Sequence, residues 1–224
     1  MTRIFRLNLH DNHDEIAYSL FIFGKVYAKQ NEKEKALKYY FDSLFIYREK
    51  VGSNNITVGE IIYDIGSIYN EMQQLDLAAK FFREAILLHS RLSDMRNESG
   101  IKCQFQLGLI LFELSNFDEA ILSLKNVIKT STKLFQKDDS VSSLVIDSFL
   151  ILGKIHSKLN NFHEAISCLK VRIIIYTSTA ILKYSSSINI ILPGSALSTL
   201  FLLVTLCIKG WNSFEKLDIP EYKK

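Results

Sequence analysis

The residues able to do chemistry are few, and the densest group is His10-Asp11-Asn12-His13-Asp14. Imidazole and carboxylate both bind zinc, but five consecutive residues reproduce none of the ligand spacings that zinc sites use. Asp and Asn just ahead of an apolar-periodic run more naturally cap the backbone N–H groups of a helix start. His156 and His163 stand seven residues apart. The first sits where sister segments carry Tyr or Leu and reads as packing. The second follows Phe162 in a polar connector and reads as solvated. Cys103, Cys168 and Cys207 are odd in number, widely spaced and free of C-x-x-C, which points to a reducing compartment and away from zinc. Cys168 has no His or Asp at a spacing that would activate it and reads as a small apolar residue. The sequence has no G-x-G-x-x-G, no P-loop and no G-x-S-x-G. The expectation is a non-catalytic chain with no metal and no cofactor.

Composition supports that reading. Residues 1–170 carry 21 Lys+Arg and 21 Asp+Glu, while residues 171–224 carry 6 and 3, which accounts for the whole net charge of +3. A balanced body lacks the clustered basic charge that phosphate neutralisation requires, so nucleic acid is not an expected partner. The N-terminal stretch has no apolar run and is acidic by Asp11, unlike a signal or transit peptide.

The elements follow from an internal repeat. Four segments align on Gly24, Gly66, Gly108 and Gly153, at spacings of 42, 42 and 45. A large apolar residue precedes each glycine (Phe23, Ile65, Leu107, Leu152). Tyr27, Tyr69, Leu111 or His156 comes three residues after it. Ala36, Ala78, Ala120 or Ala165 comes twelve after it, followed four later by Tyr40, Phe82, Leu124 or Leu169. Leu20, Phe23, Gly24 and Tyr27 fall on one helical stripe, and Ala36, Tyr40, Ser43 and Leu44 on a second. Each segment is thus expected to be an antiparallel helix pair, with Gly24 and Ala36 small because the helices approach closely there. One pair cannot cover both its faces, so pairs must stack.

This grammar resembles the tetratricopeptide repeat, with its L-G-x2-Y and A-x3-F pattern. The resemblance covers about residues 9–170 and implies an all-α, right-handed α–α superhelix of about four pairs. The expected repeats are about 17–50, 59–92, 101–134 and 146–170, with residues 1–16 resembling the end of a truncated preceding repeat. The long period, the "YREKVG" helix end and the "DNHDEIA" lead-in are similar to repeats of kinesin light chains. That family typically carries paired asparagines before the glycine to grip peptide backbones. Here those places hold Phe21-Ile22, Tyr63-Asp64, Phe105-Gln106 and Leu150-Ile151. The family's heptad-rich N-terminal segment has no counterpart in this sequence either.

In such a solenoid the first helix of each pair lines a concave wall. The resemblance places Tyr18, Phe21 and Lys25 there in the first pair, then Glu60, Tyr63 and Ser67. Lys102, Phe105 and Leu109 follow in the third pair, and Asp147, Leu150 and Lys154 in the fourth. A ladder Phe21-Tyr63-Phe105-Leu150 with charged flanks suits an apolar or amphipathic peptide or helix. The competing reading is that these aromatics pack on neighbouring helices. The expected function is a cytoplasmic protein-interaction scaffold.

Beyond Lys170 the grammar stops, and 25 uncharged residues separate Lys183 from Lys209. Three readings stand for residues 171–224. A tail anchor through residues 184–208 would make the chain a membrane receptor, although the strongly apolar part, about 196–208, is short for a span. A capping helix would close the open end of the array. Translated intron is the third, since Val171-Arg172 can be encoded by a splice-donor sequence.

Overall fold

The computed structural model describes residues 13–51, 56–92, 98–131 and 139–187. Its elements are α1 (His13–Lys29), α2 (Lys33–Ile46) ending in a π turn (Tyr47–Val51), α3 (Ile56–Glu71), α4 (Leu75–Leu92), α5 (Glu98–Glu113), α6 (Phe117–Ser131), α7 (Asp139–Lys158) and α8 (Phe162–Ser187). No strand occurs among the described residues. The four aligned glycines fall on α1, α3, α5 and α7, and the four alanines on α2, α4, α6 and α8. The chain forms two compact units, Met1–Ser123 and Leu124–Lys224.

Each pair turns in the same way. Asn31, Gln73, Ser115 and Asn160 have φ of about 60°, the left-handed conformation usually given to glycine. The residue after each donates its N–H to the carbonyl five residues back: Glu32 to Tyr27, Gln74 to Tyr69, Asn116 to Leu111 and Asn161 to His156. These bonds satisfy carbonyls that the first helix would otherwise leave orphaned. The carbonyls of Glu32, Gln74, Asn116 and Asn161 then accept from Ala36, Ala78, Ala120 and Ala165, which starts the second helix. The alanine that marks each repeat is therefore also the first hydrogen-bonded residue of its second helix.

The glycines are small for the expected reason. A Cβ on Gly24 would lie 2.4 Å from the Tyr40 ring, one on Gly66 3.2 Å from Phe82, and one on Gly153 3.1 Å from Leu169. In these three pairs the ring or isobutyl four residues after the alanine lies on the glycine of the facing helix.

Successive pairs in the first unit are joined mainly by apolar burial. Ile61, Ile62, Ile65 and Ile68 of α3 share one core cluster with Tyr40, Leu44 and Tyr47. Each such side chain contributes about 1.5–3 kcal/mol. Phe41 meets Phe81 across the junction with ring centroids 6.0 Å apart. The charged links Lys33–Glu71, Arg48–Glu84 and Arg83–Glu119 are largely exposed. Pairs of that kind are worth about 0–1 kcal/mol each, so they set register more than stability.

The first expected stripe needs correction. Ala17, Phe21 and Gly24 are the buried residues of α1, whereas Phe23 is 50% and Val26 44% exposed. Their counterparts Ile65 and Ile68, and then Leu107 and Ile110, are buried. Those positions are covered where a preceding pair packs on them, and no described element does so for α1. Lys170, where the repeat grammar stops, lies inside α8. α8 continues 17 residues past it to Ser187, with Ile175 and Ser178 buried.

Candidate peptide-binding face

The first helices of the first unit carry most of the expected lining residues, and packing divides those residues into two classes. Phe21 is 1% exposed, and its ring stands 5.9 Å from that of Tyr40. Tyr63 repeats the arrangement on Phe82 at 5.5 Å and is half-buried, while Phe105 is buried. The expectation of an open aromatic ladder is therefore corrected for Phe21 and Phe105. A position three before the glycine faces the ring four after the alanine, so its side chain packs inward on its own pair. In the second unit Leu150 is half-buried and Lys154 exposed.

The accessible class is more polar. Tyr18 is 52% exposed, with its ring centroid 6.3 Å from that of Phe21 in an edge-on arrangement. Lys25 lies over the Phe21 ring at 4.2 Å and reaches Asp64 of α3 at 4.0 Å. Ser67 donates its hydroxyl to the carbonyl of Tyr63 at 3.1 Å. Lys102 pairs with Glu98 one turn earlier, and Leu109 is half-buried. Glu60 and, in the second unit, Asp147 are exposed.

Asp64 is the residue that sequence reasoning missed. Burial pushes its carboxyl up to about 6, against the opposing pull of Lys25 and of its hydrogen bond with Tyr40, while Glu60 adds repulsion. The same burial, with Asp64 beside it, raises the Tyr40 phenol. Asp64 thus changes charge near neutrality, on the wall between two first helices. The available signal was a lone acid between Ile61-Ile62 and Ile65, at a position where the first and fourth pairs carry Ile22 and Ile151. The Tyr63 phenol is also raised, first by burial and then by the neighbouring Cys103.

The remaining candidates resolve into packing. Asp14 receives the hydroxyl of the buried Tyr47, whose phenol is pushed up to about 12 by burial and by that bond. His10, Asp11 and Asn12 lie outside the described residues, and no group of metal-binding side chains forms among the described ones. Burial drives the Cys103 thiol up to about 12, far from a thiolate nucleophile at neutral pH. Cys168 is buried too, His163 is exposed, and His156 is half-buried. A cavity of about 320 Å³ lies between Arg48, Val58, Ile62, Glu84, Leu88 and Arg91. The Arg48–Glu84 pair lines it, so it belongs to the junction between pairs.

Residues 59–89, 101–133 and 146–170 match the tetratricopeptide repeat family. Those three segments are tetratricopeptide repeats. The matched blocks fall on α3/α4, α5/α6 and α7/α8, and the α1/α2 pair repeats their geometry at Gly24 and at Asn31. Three solved structures are similar. BtubC (BKLC) from P. vanneervenii matches with a TM-score of 0.66 at 16% identity, over 75% of this chain and 66% of that one. A Podosopora anserina putative kinesin light chain with nearly identical TPR-like repeats matches with a TM-score of 0.61 at 12% identity, over 90% and 98%. A Rap protein complexed with competence and sporulation factor matches with a TM-score of 0.54 at 12% identity, over 92% and 53%. At these identities the likeness is one of fold, and it places the chain in the all-α tetratricopeptide solenoid class. The chain spans just under two thirds of the length of BtubC. No curated protein sequence matches it.

Proposed function

We propose that this chain is a non-catalytic interaction scaffold that takes a peptide or helical segment on the wall formed by α1, α3 and α5. The observation that carries the reading is the partly exposed Lys25–Asp64 pair, which joins two first helices, with Lys25 over the buried Phe21 ring and Asp64 hydrogen-bonded to the buried Tyr40. Tyr18, Ser67, Lys102 and Leu109 extend the same helices with accessible polar and apolar groups. Such a surface suits an amphipathic segment carrying charges of both signs. The likeness to a Rap protein bound to competence and sporulation factor, and to a Rap regulator in complex with the Phr* peptide, supports peptide binding by fold analogy. A kinesin light chain-type adaptor is the narrower form of this reading. A reducing, cytoplasmic setting fits the buried free thiols of Cys103 and Cys168.

The test is selection of a displayed random-peptide library on the full chain, followed by competition with variants. Tyr18→Ala, Lys25→Glu and Lys102→Glu leave the core intact and should weaken selected peptides at least about tenfold. Truncating Phe21 or Phe105 instead would remove core packing and confuse binding with folding. Peptides that bind these variants as tightly as the parent chain would reject the wall.

A further inference from the structure

The cavity of about 320 Å³ at the junction of the first two pairs joins two kinds of chemistry. Val58 and Ile62 of α3 and Leu88 of α4 are buried and give it an apolar floor. Leu87, Arg48 and Arg91 are exposed and form its rim with the half-buried Glu84. Glu84 and Arg91 are seven residues apart on α4, two helical turns or about 10 Å. Arg48 is paired with Glu84, so the two arginines stand at opposite ends of the cavity. Arg91 enters no ion pair among the described residues. The Arg48 end is therefore balanced, and the Arg91 end is net positive.

Stacking of the pairs does not by itself dictate this combination. At the repeat spacing of 42, the positions of Val58, Ile62 and Leu88 hold Gly100, Gln104 and Thr130, and those of Arg48 and Glu84 hold Ser90 and Asn126. The next junction, between α4 and α5, is built without such an apolar floor and without that ion pair. A cavity of this volume falls at the small end of those that hold small molecules, which pair an apolar lining with a few placed polar groups. An aliphatic body gains by covering the floor, and a guanidinium grips a carboxylate through two parallel hydrogen bonds. A cation would be repelled at the Arg91 end, and a second carboxylate would meet Glu84 at the other.

We propose that this cavity binds one small amphiphilic monocarboxylate, its aliphatic body on Val58, Ile62 and Leu88 and its carboxylate on Arg91. The site shares no residue with the wall proposed for peptides, so each can fail without the other.

Isothermal titration calorimetry of the full chain near neutral pH, with hexanoate, octanoate and octylammonium as probes, tests this. Octanoate should bind as one equivalent and at least about tenfold tighter than hexanoate, since each buried methylene is worth about fourfold. Octylammonium should bind at least about tenfold more weakly than octanoate. Arg91→Gln should weaken octanoate at least about tenfold, and Leu87→Ser about fourfold or more. Both side chains are exposed, so neither change removes core packing. Lys102→Glu, on the peptide wall, should leave octanoate binding unchanged. No saturable binding at millimolar octanoate would overturn the proposal, as would several equivalents of equal affinity or indifference to Arg91→Gln. Hexanoate bound as tightly as octanoate would reduce the site to a surface arginine and overturn it too.

Discussion

Asp64→Asn should stabilise the protein by an amount that depends on pH. The carboxyl goes from an ordinary value of 3.8 to about 6 in the fold. A raised acid favours its protonated form in the folded state, so its contribution is fully present below the unfolded value and is lost as pH rises through about 6. A shift of about two units corresponds to about 3 kcal/mol. The side chain is 24% exposed, so solvent screening takes little from that figure. Asparagine still offers Tyr40 an acceptor but cannot ionise. The stability advantage of Asp64→Asn should therefore be small at about pH 4 and grow to about 3 kcal/mol by about pH 7. For a chain of this size that is a rise of about 6–12 °C in melting temperature. Paired urea unfolding curves of parent and variant across that range measure the difference directly, and the titration of all other carboxylates cancels. A difference that stays flat with pH, or a variant less stable at neutral pH, would show that Lys25 compensates the buried charge fully and would refute the reasoning.

Gly24→Ala should cost about 1–3 kcal/mol in urea unfolding, because the new Cβ meets a buried Tyr40 ring that has little room to move. Gly66→Ala, with its ring contact at 3.2 Å, should cost less. Gln73→Gly should stabilise by about 1 kcal/mol in the same assay, by removing a side chain from a left-handed backbone position. Cys103 should resist iodoacetamide in the native chain and react on unfolding, as mass spectrometry of the labelled peptide would report.

The repeat frame was legible because the residues that set it act locally. Gly24 and Tyr40, or Gly66 and Phe82, meet within one pair, so their types at fixed spacing carry the contact. The turns were legible in place but not in conformation. Asn31, Gln73, Ser115 and Asn160 take a backbone shape that glycine usually signals. The face of α1 was misjudged because two stripes pass through Gly24. One contains Leu20, Phe23 and Tyr27, the other Ala17 and Phe21, and helical periodicity allows both. Which is buried depends on whether another pair covers the first stripe, a fact that no residue of α1 encodes. The same limit hid Asp64. Its raised carboxyl comes from the depth of the junction, opposed by Lys25 and Tyr40 on other helices, and no spacing within α3 records that burial.

The change after Lys170 falls inside a helix. The repeat grammar is lost there, and α8 runs through it. A second helix inside the array needs one stripe for its own first helix and another for the next pair, and the repeat grammar records both needs in a fixed pattern. α8 has its own first helix, α7, but no described element beyond it. Its inner stripe keeps the small residues Ala165 and Cys168 and continues to Ile175, in phase across Val171. Its outer face carries the exposed Ile166, Ile173 and Tyr176, while Leu169 lies on Gly153 of α7. Both stripes cross residue 170 without a shift of phase, so the residues on either side of it act as one helix.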